Sequence, residues 1–226
     1  MYRIVEEMNA EGGIEYNIYG VLTDYDLSSW TASLKTDYTK TSQQRTGTPP
    51  YMAHELLRGT SDIHLYRHDV ESLFYIMLTM CGRHTIGRTN GIGEGAKWRV
   101  MMREGRLPYE DWYNEPSFSK LGSLKVAFFS GVVVLKLSPT FEDFRTWLKE
   151  LRYCFSDGFD AKSAYEKRKE RAGSSAGQFA PFDDETLGGH VDYSSFIKPA
   201  YHLGGELQGL IVRYDPTSSP ISTGAD

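Results

Sequence analysis

The chain has 226 residues, 40% hydrophobic and 24% charged, with a formal net charge of −5. That length suits one domain, or one plus a tail, around a sizeable core, and the composition is that of an ordinary globular protein. The acidic balance argues against a nucleic-acid binder, which would carry a clustered basic face.

In chain order, Met1 to Glu7 shows no signal-peptide anatomy. Tyr2 to Glu7 alternates moderately, Asn9 to Gly13 is a turn cluster, and Ile14 to Thr23 is a second extended run. Together they predict a β-hairpin that delivers Asp24 at its end. The stretch Gly20-Val21-Leu22-Thr23-Asp24-Tyr25-Asp26-Leu27-Ser28 reads as an apolar strand stopping on two carboxylates. Asp24 and Asp26 at a rigid strand end suit a divalent cation held beside a phosphate, because hard cations prefer carboxylate oxygen. The plain alternative is a strand running out into a polar turn.

Ser28 to Thr48 is polar and aperiodic, and a connection of that length in a compact domain is usually functional or disordered. Its hydroxyls (Ser28, Ser29, Thr36, Thr39, Thr41, Ser42) are candidate phosphate acceptors or simply solvated loop residues. Thr46-Gly47-Thr48-Pro49-Pro50 is stiffer, since two prolines fix φ and the glycine permits close backbone approach. Next comes the best-defined helix, Asp69 to Cys81, with Val70, Leu73, Phe74, Met77, Leu78 and Cys81 at helical spacing. Asp69 is expected to cap it and Gly82 to stop it. Ile76 and Met80 make the opposite face apolar as well, which predicts burial all round.

Gly82 to Gly95 is glycine-rich, but without a preceding apolar strand it is no phosphate loop. Trp98 to Gly105 and Leu121 to Leu137 read as helices, and Ser138-Pro139 opens another with Phe144, Leu148, Leu151 and Phe155 on one face. The most apolar run, Val126 to Leu137, is shorter than the about 20 residues a membrane span needs. Ala161 to Arg171 is a charged, solvated helix, and Gly173 to Gly177 a flexible break. Asp183, Asp184 and Glu185 lack the spacing of a calcium loop and read as a solvated turn. Residues 201–226 read as an irregular tail. Cys81 and Cys154 are too few for a disulfide framework and read as reduced, buried thiols. The six histidines show no metal-ligand spacing, so no zinc is expected.

The ordered set Asp24-Tyr25-Asp26, Arg45-Thr46-Gly47-Thr48-Pro49-Pro50-Tyr51-Met52-Ala53-His54-Glu55 and His68-Asp69-Val70-Glu71-Ser72 resembles the fungal-type protein kinase family. That family carries Asp-Tyr-Asp or Asp-Phe-Asp where most kinases have Asp-Phe-Gly. The resemblance is specific from about Tyr2 to Cys81, with a weaker match from Pro181 to Phe196.

The resemblance implies a mainly α (α+β) fold, the helical large lobe of a kinase with a short N-terminal β-hairpin and no small lobe. It places an activation segment at 24–55 and a central helix at 69–81 within a lobe of 1–160. A charged helix and family-type extension follow at 161–200. Asp24, with Asp26 beside it, becomes the Mg²⁺ ligand on ATP, and Thr46, Gly47, Thr48 and Pro49 the docking place for a substrate's backbone. Glu55, with His54 replacing the family's proline, becomes a structural glutamate paired with a buried arginine, for which Arg145 and Arg152 are candidates. Asp69 braces the catalytic loop. The base, the ATP lysine and the Gly-rich loop are not visible in these residues, and Met1 falls just past the catalytic loop. The expectation is thus a truncated kinase domain, inactive as this chain alone, whose family passes phosphate from ATP to protein Ser/Thr. One alternative is a non-catalytic, pseudokinase-like module that binds a protein partner. Another is a metal-dependent glycosyltransferase using Asp24 and Asp26 as its Asp-x-Asp. The location expected is cytoplasmic or nuclear.

Overall fold

The computed structural model describes residues 2–8, 14–20, 47–61, 63–88, 98–173 and 179–199, in two compact units, 1–45 and 46–226. In the first unit, β1 (Tyr2–Met8) and β2 (Ile14–Gly20) pair antiparallel, from Tyr2 opposite Gly20 to Met8 opposite Ile14. The hairpin read from the alternating runs is present. Asp24, Asp26 and Thr46 lie outside the described residues.

The described part of the second unit is mostly helical. A 3-10 turn at Pro49–Tyr51 leads to α1 (His54–Arg58) and α2 (Tyr66–Arg83). Then β3 (His84–Arg88) pairs antiparallel with β4 (Trp98–Met102). After α3 (Glu110–Asn114) and α4 (Phe118–Phe129), a 3-10 turn at Pro139–Phe144 feeds the long α5 (Arg145–Ala172), and α6 (Tyr193–Ile197) closes the series.

The core follows from three apolar helix faces meeting. α2 contributes Phe74, Tyr75 and Leu78, α4 Leu121, Phe128 and Phe129, and α5 Leu148, Leu151 and Phe155, all buried. Phe74 stacks on Phe129 at 6.0 Å between ring centroids, and Phe129 lies 5.2 Å from Phe155. Offset and tilted pairs at such distances add to what area burial already contributes.

Several expectations need correcting. The central helix starts at Tyr66, so Asp69 is not its cap but an exposed residue of its first turn. The free N–H of Leu65 is met instead by His68, whose Nδ1 accepts it at 3.1 Å. At the other end the helix runs through Gly82 to Arg83. Gly82 is there for close packing, since a Cβ would come within 2.9 Å of the Tyr109 ring and 3.1 Å of the Lys136 carbonyl. Burial is not all round either: Leu73, Ile76 and Met80 are 45%, 43% and 43% exposed.

Further along, Trp98 to Met102 is a strand, because its backbone pairs with β3 rather than closing helical turns. The helix predicted over Leu121 to Leu137 ends at Phe129, where Gly131 takes a φ of 80° and the Val132–Val134 run proceeds non-helically. The charged stretch from Ala161 to Arg171 is helical, as read, and is the continuation of α5, which crosses residue 160 unbroken.

Candidate docking site at the start of the central helix

Two prolines and a glycine shape the turn that leads into the site. Pro49 occupies the first position of the 3-10 turn, where its missing N–H is not needed, and Tyr51 N–H donates to the Thr48 carbonyl at 2.8 Å. Gly47 has a φ of 129°, a conformation L side chains rarely adopt, and sits against the Met52 side chain. Opposite this turn stands the first part of α2. Between them lies a cleft of about 170 Å³ bounded by Gly47 and Thr48 on one wall and His64, His68, Asp69 and Ser72 on the other. His64 Nε2 and Asp69 Oδ1 are 2.7 Å apart, both largely exposed. The Asp69 hydrogen bond raises the His64 pKa, against the opposing effect of partial burial.

Beneath the cleft, Glu55 of α1 and Arg67 of α2 form an ion pair through Arg67 Nη1 and Glu55 Oε2. Arg67 is 1% exposed. Glu55 also lies 3.4 Å from His68 Nε2 and 3.1 Å from Lys162 Nζ of α5. Burial alone would raise the Glu55 carboxyl; the His68 hydrogen bond and the Arg67 and Lys162 charges outweigh it and hold it well below the usual carboxylate range. The other face of the guanidinium serves the C-terminal segment, with Nε donating to the Asp184 carbonyl at 2.7 Å and Nη2 3.3 Å from its carboxylate. Glu185 Oε2 accepts the Tyr66 N–H at 2.7 Å. The acids read as a solvated turn are therefore a dock for the start of α2. A larger groove of about 480 Å³ along α5 and Phe179–Asp184 shares only Lys162 and Asp184 with this network.

A second buried carboxylate holds the far end of the turn. Glu71 Oε1 accepts the His54 N–H at 2.7 Å, lies 3.1 Å from His54 Nδ1, and accepts the Tyr75 hydroxyl at 2.5 Å. Burial would raise this carboxyl too, but the His54 charge and the bonds from His54 and Tyr75 keep it low. Proline has no N–H to give, so a histidine here supplies Glu71 with a bond that proline lacks.

Neither arginine proposed for Glu55 reaches it. Arg145 binds Glu142 and the Leu135 carbonyl, and Arg152 binds the Val133 carbonyl and lies over Phe128. Arg67, Glu71, Lys162 and Asp184 were not singled out as site residues, and their position in charged or mixed stretches offered no signal. Lys125 carried one: it interrupts the apolar face formed by Leu121, Phe128 and Phe129. Among the described residues no three His, Cys, Asp or Glu side chains are arranged to hold a metal ion, and no helix is long and apolar enough to cross a membrane.

Over residues 5–81 the chain matches the family model described as fungal protein kinase. This stretch is a fungal protein kinase region. It takes in the hairpin from Val5, the Gly47–Met52 turn, the Glu55–Arg67 pair and α2 as far as Cys81. No curated protein and no solved structure matches the chain.

Proposed function

We propose that the kinase region is the metal-gripping and substrate-docking part of a phosphotransferase that moves phosphate from ATP to Ser or Thr hydroxyls of a protein. In this reading residues 1–160 are part of a kinase-like large lobe and 161–200 a family-type extension. Asp24, with Asp26 beside it, holds Mg²⁺ on the nucleotide, and Thr46, Gly47, Thr48 and Pro49 receive the backbone of the protein substrate. Glu55 and Asp69 act as braces.

The observation that carries the reading is the Glu55–Arg67 ion pair. The resemblance implies a glutamate at that position held by a buried arginine, and the pair ties α1 to α2 so that the Gly47–Thr48 turn faces His64 and Asp69 across a cleft. Phosphoryl transfer is almost entirely positioning and charge stabilisation, so it needs a base, an ATP lysine, a phosphate-covering loop and a second-metal asparagine. These 226 residues show none of those motifs. By itself, then, this polypeptide docks a protein segment and transfers no phosphate.

The test is to titrate the 226-residue protein with a mixture of short Ser/Thr peptides while following the NMR signals of Gly47, Thr48 and Met52, with labelled Mg·ATP present. Shifts confined to the turn and the α2 start, without label in the peptides, are expected. Peptides that leave those signals unmoved refute the docking assignment, and labelled peptides refute the inactivity. Any Mg²⁺-dependent nucleotide binding should vanish in Asp24→Asn; binding unaltered there removes Asp24 from the site.

A further inference from the structure

The inward face of α4 carries one residue out of pattern. Lys125 is fully buried, on the same helix as the core residues Leu121, Phe128 and Phe129. An ammonium taken out of water is costly unless it is well bonded. Its bonds end on one feature: Nζ donates to the Met52 carbonyl at 2.5 Å and lies 3.4 Å from the Pro49 carbonyl. The same charge sits over the Tyr75 ring, 3.9 Å from its centroid, and 5.5 Å from that of Trp112.

The segment from Pro49 to His54 is thus held by two buried charges of opposite sign. A cation on α4 takes its carbonyls, and Glu71 on α2 takes the N–H of His54. Each charge meets the backbone polarity that suits it.

We propose that Lys125 is a positioning residue for the docking turn, its ammonium fixing the Pro49 and Met52 carbonyls and through them the presentation of Gly47 and Thr48. The presentation to a polypeptide rests on the docking reading above; the fixing of the turn does not. Facing the ammonium are Glu71 and Tyr75 from α2, Trp112 from α3 and the two turn carbonyls, while His54 of α1 turns to Glu71. Loss of water pulls the Lys125 pKa down to about 7, with Glu71 opposing. Raising the pH therefore replaces charge-assisted bonds to the turn by neutral ones, roughly half as strong.

The experiment measures amide-exchange protection of Tyr51, Met52 and His54 against that of Phe74 to Leu78 in α2, in the unmodified protein and in Lys125→Met. Methionine keeps the length and volume of the side chain, but it strips the buried Met52 carbonyl of its donor, so the α2 amides serve in the same experiment as the check that the variant is folded. In the unmodified protein, turn protection relative to α2 should fall about tenfold between about pH 6 and about pH 8.5. Lys125→Met, which makes no bond to the turn, should lie at or below that high-pH value throughout, without pH dependence. Turn protection relative to α2 that is equal in the two proteins at about pH 6 overturns the proposal. Should Lys125→Met fail to fold, Lys125→Gln, which keeps a neutral donor in place of the ammonium, takes its place and the same comparison decides. Ser/Thr peptides added to both proteins separate the two readings. A loosened turn with no peptide bound by either protein leaves Lys125 as the residue that fixes the turn and defeats the docking reading. A loosened turn with equal peptide binding removes Lys125 from presentation.

Discussion

Arg67 and Glu55, only twelve positions apart, are joined by an ion pair under the cleft, and the same guanidinium reaches 117 residues along the chain to Asp184. A buried charge of this kind is not a simple stabiliser, because its desolvation offsets much of the attraction. Removing one partner is another matter. Arg67→Ala leaves Glu55 short of its main cation and should destabilise the fold by about 3–5 kcal/mol. Lys162→Ala, whose side chain is 21% exposed, should cost about 1 kcal/mol or less. Urea unfolding followed by tryptophan fluorescence distinguishes them, and equal losses would mean the guanidinium is not the principal partner.

Glu55 should also shape the acid limb of stability. Its carboxyl is lowered in the folded state from an ordinary 4.5, so its contribution is present above that value and lost as the pH falls below it. Glu55→Gln should be less stable than the unmodified chain at neutral pH and should lose less on acidification. Unfolding midpoints from about pH 6 down to about pH 3 measure this, and parallel curves would show that Glu55 titrates normally.

His54→Pro tests the second buried carboxylate. The position opens α1, where proline's φ is acceptable, so the loss comes from the missing N–H and ring bonds to Glu71 and from the ring's contacts with Phe159 and Phe129. Bonds to a charged group contribute about 1.5–3 kcal/mol each, and with two lost a change of about 3–6 kcal/mol is expected. A loss under about 0.5 kcal/mol, within the range of ordinary surface changes, would mean Glu71 is satisfied without the histidine.

The two sides of α2 should answer differently to substitution. Phe74→Ala, in the packed centre, should lose about 3–5 kcal/mol. Leu73→Gln, Ile76→Gln and Met80→Gln, on the half-exposed side, should each lose about 1 kcal/mol or less. Thermal melts of the four variants check the contrast. Large losses at positions 73, 76 and 80 would show that side to be covered.

Much of the helical skeleton was legible. The spacing from Val70 to Cys81 placed α2, although Leu73 within it is half exposed, and Leu148, Leu151 and Phe155 marked the inward face of α5. The ends were less legible. Leu65 carries no capping oxygen, so the start of α2 had no signal until His68 was seen reaching back to its N–H. The five residues from Trp98 to Met102 are too few to separate a strand from a helical turn without their partner strand. Arg67 lay hidden for another reason: pairing with Glu55 depends on where α1 turns into α2, which no spacing rule encodes. Asp24, Asp26 and Thr46 lie outside the described residues, so that part of the candidate site rests on resemblance.

The double grip of Arg67 bears on how far this polypeptide can be shortened. A chain stopped at the end of α5 would strip the guanidinium of the Asp184 carbonyl and carboxylate and deprive Tyr66 of its acceptor on Glu185. Damage from such a deletion would surface at the opposite end of the sequence from the cut, as fraying where the central helix begins.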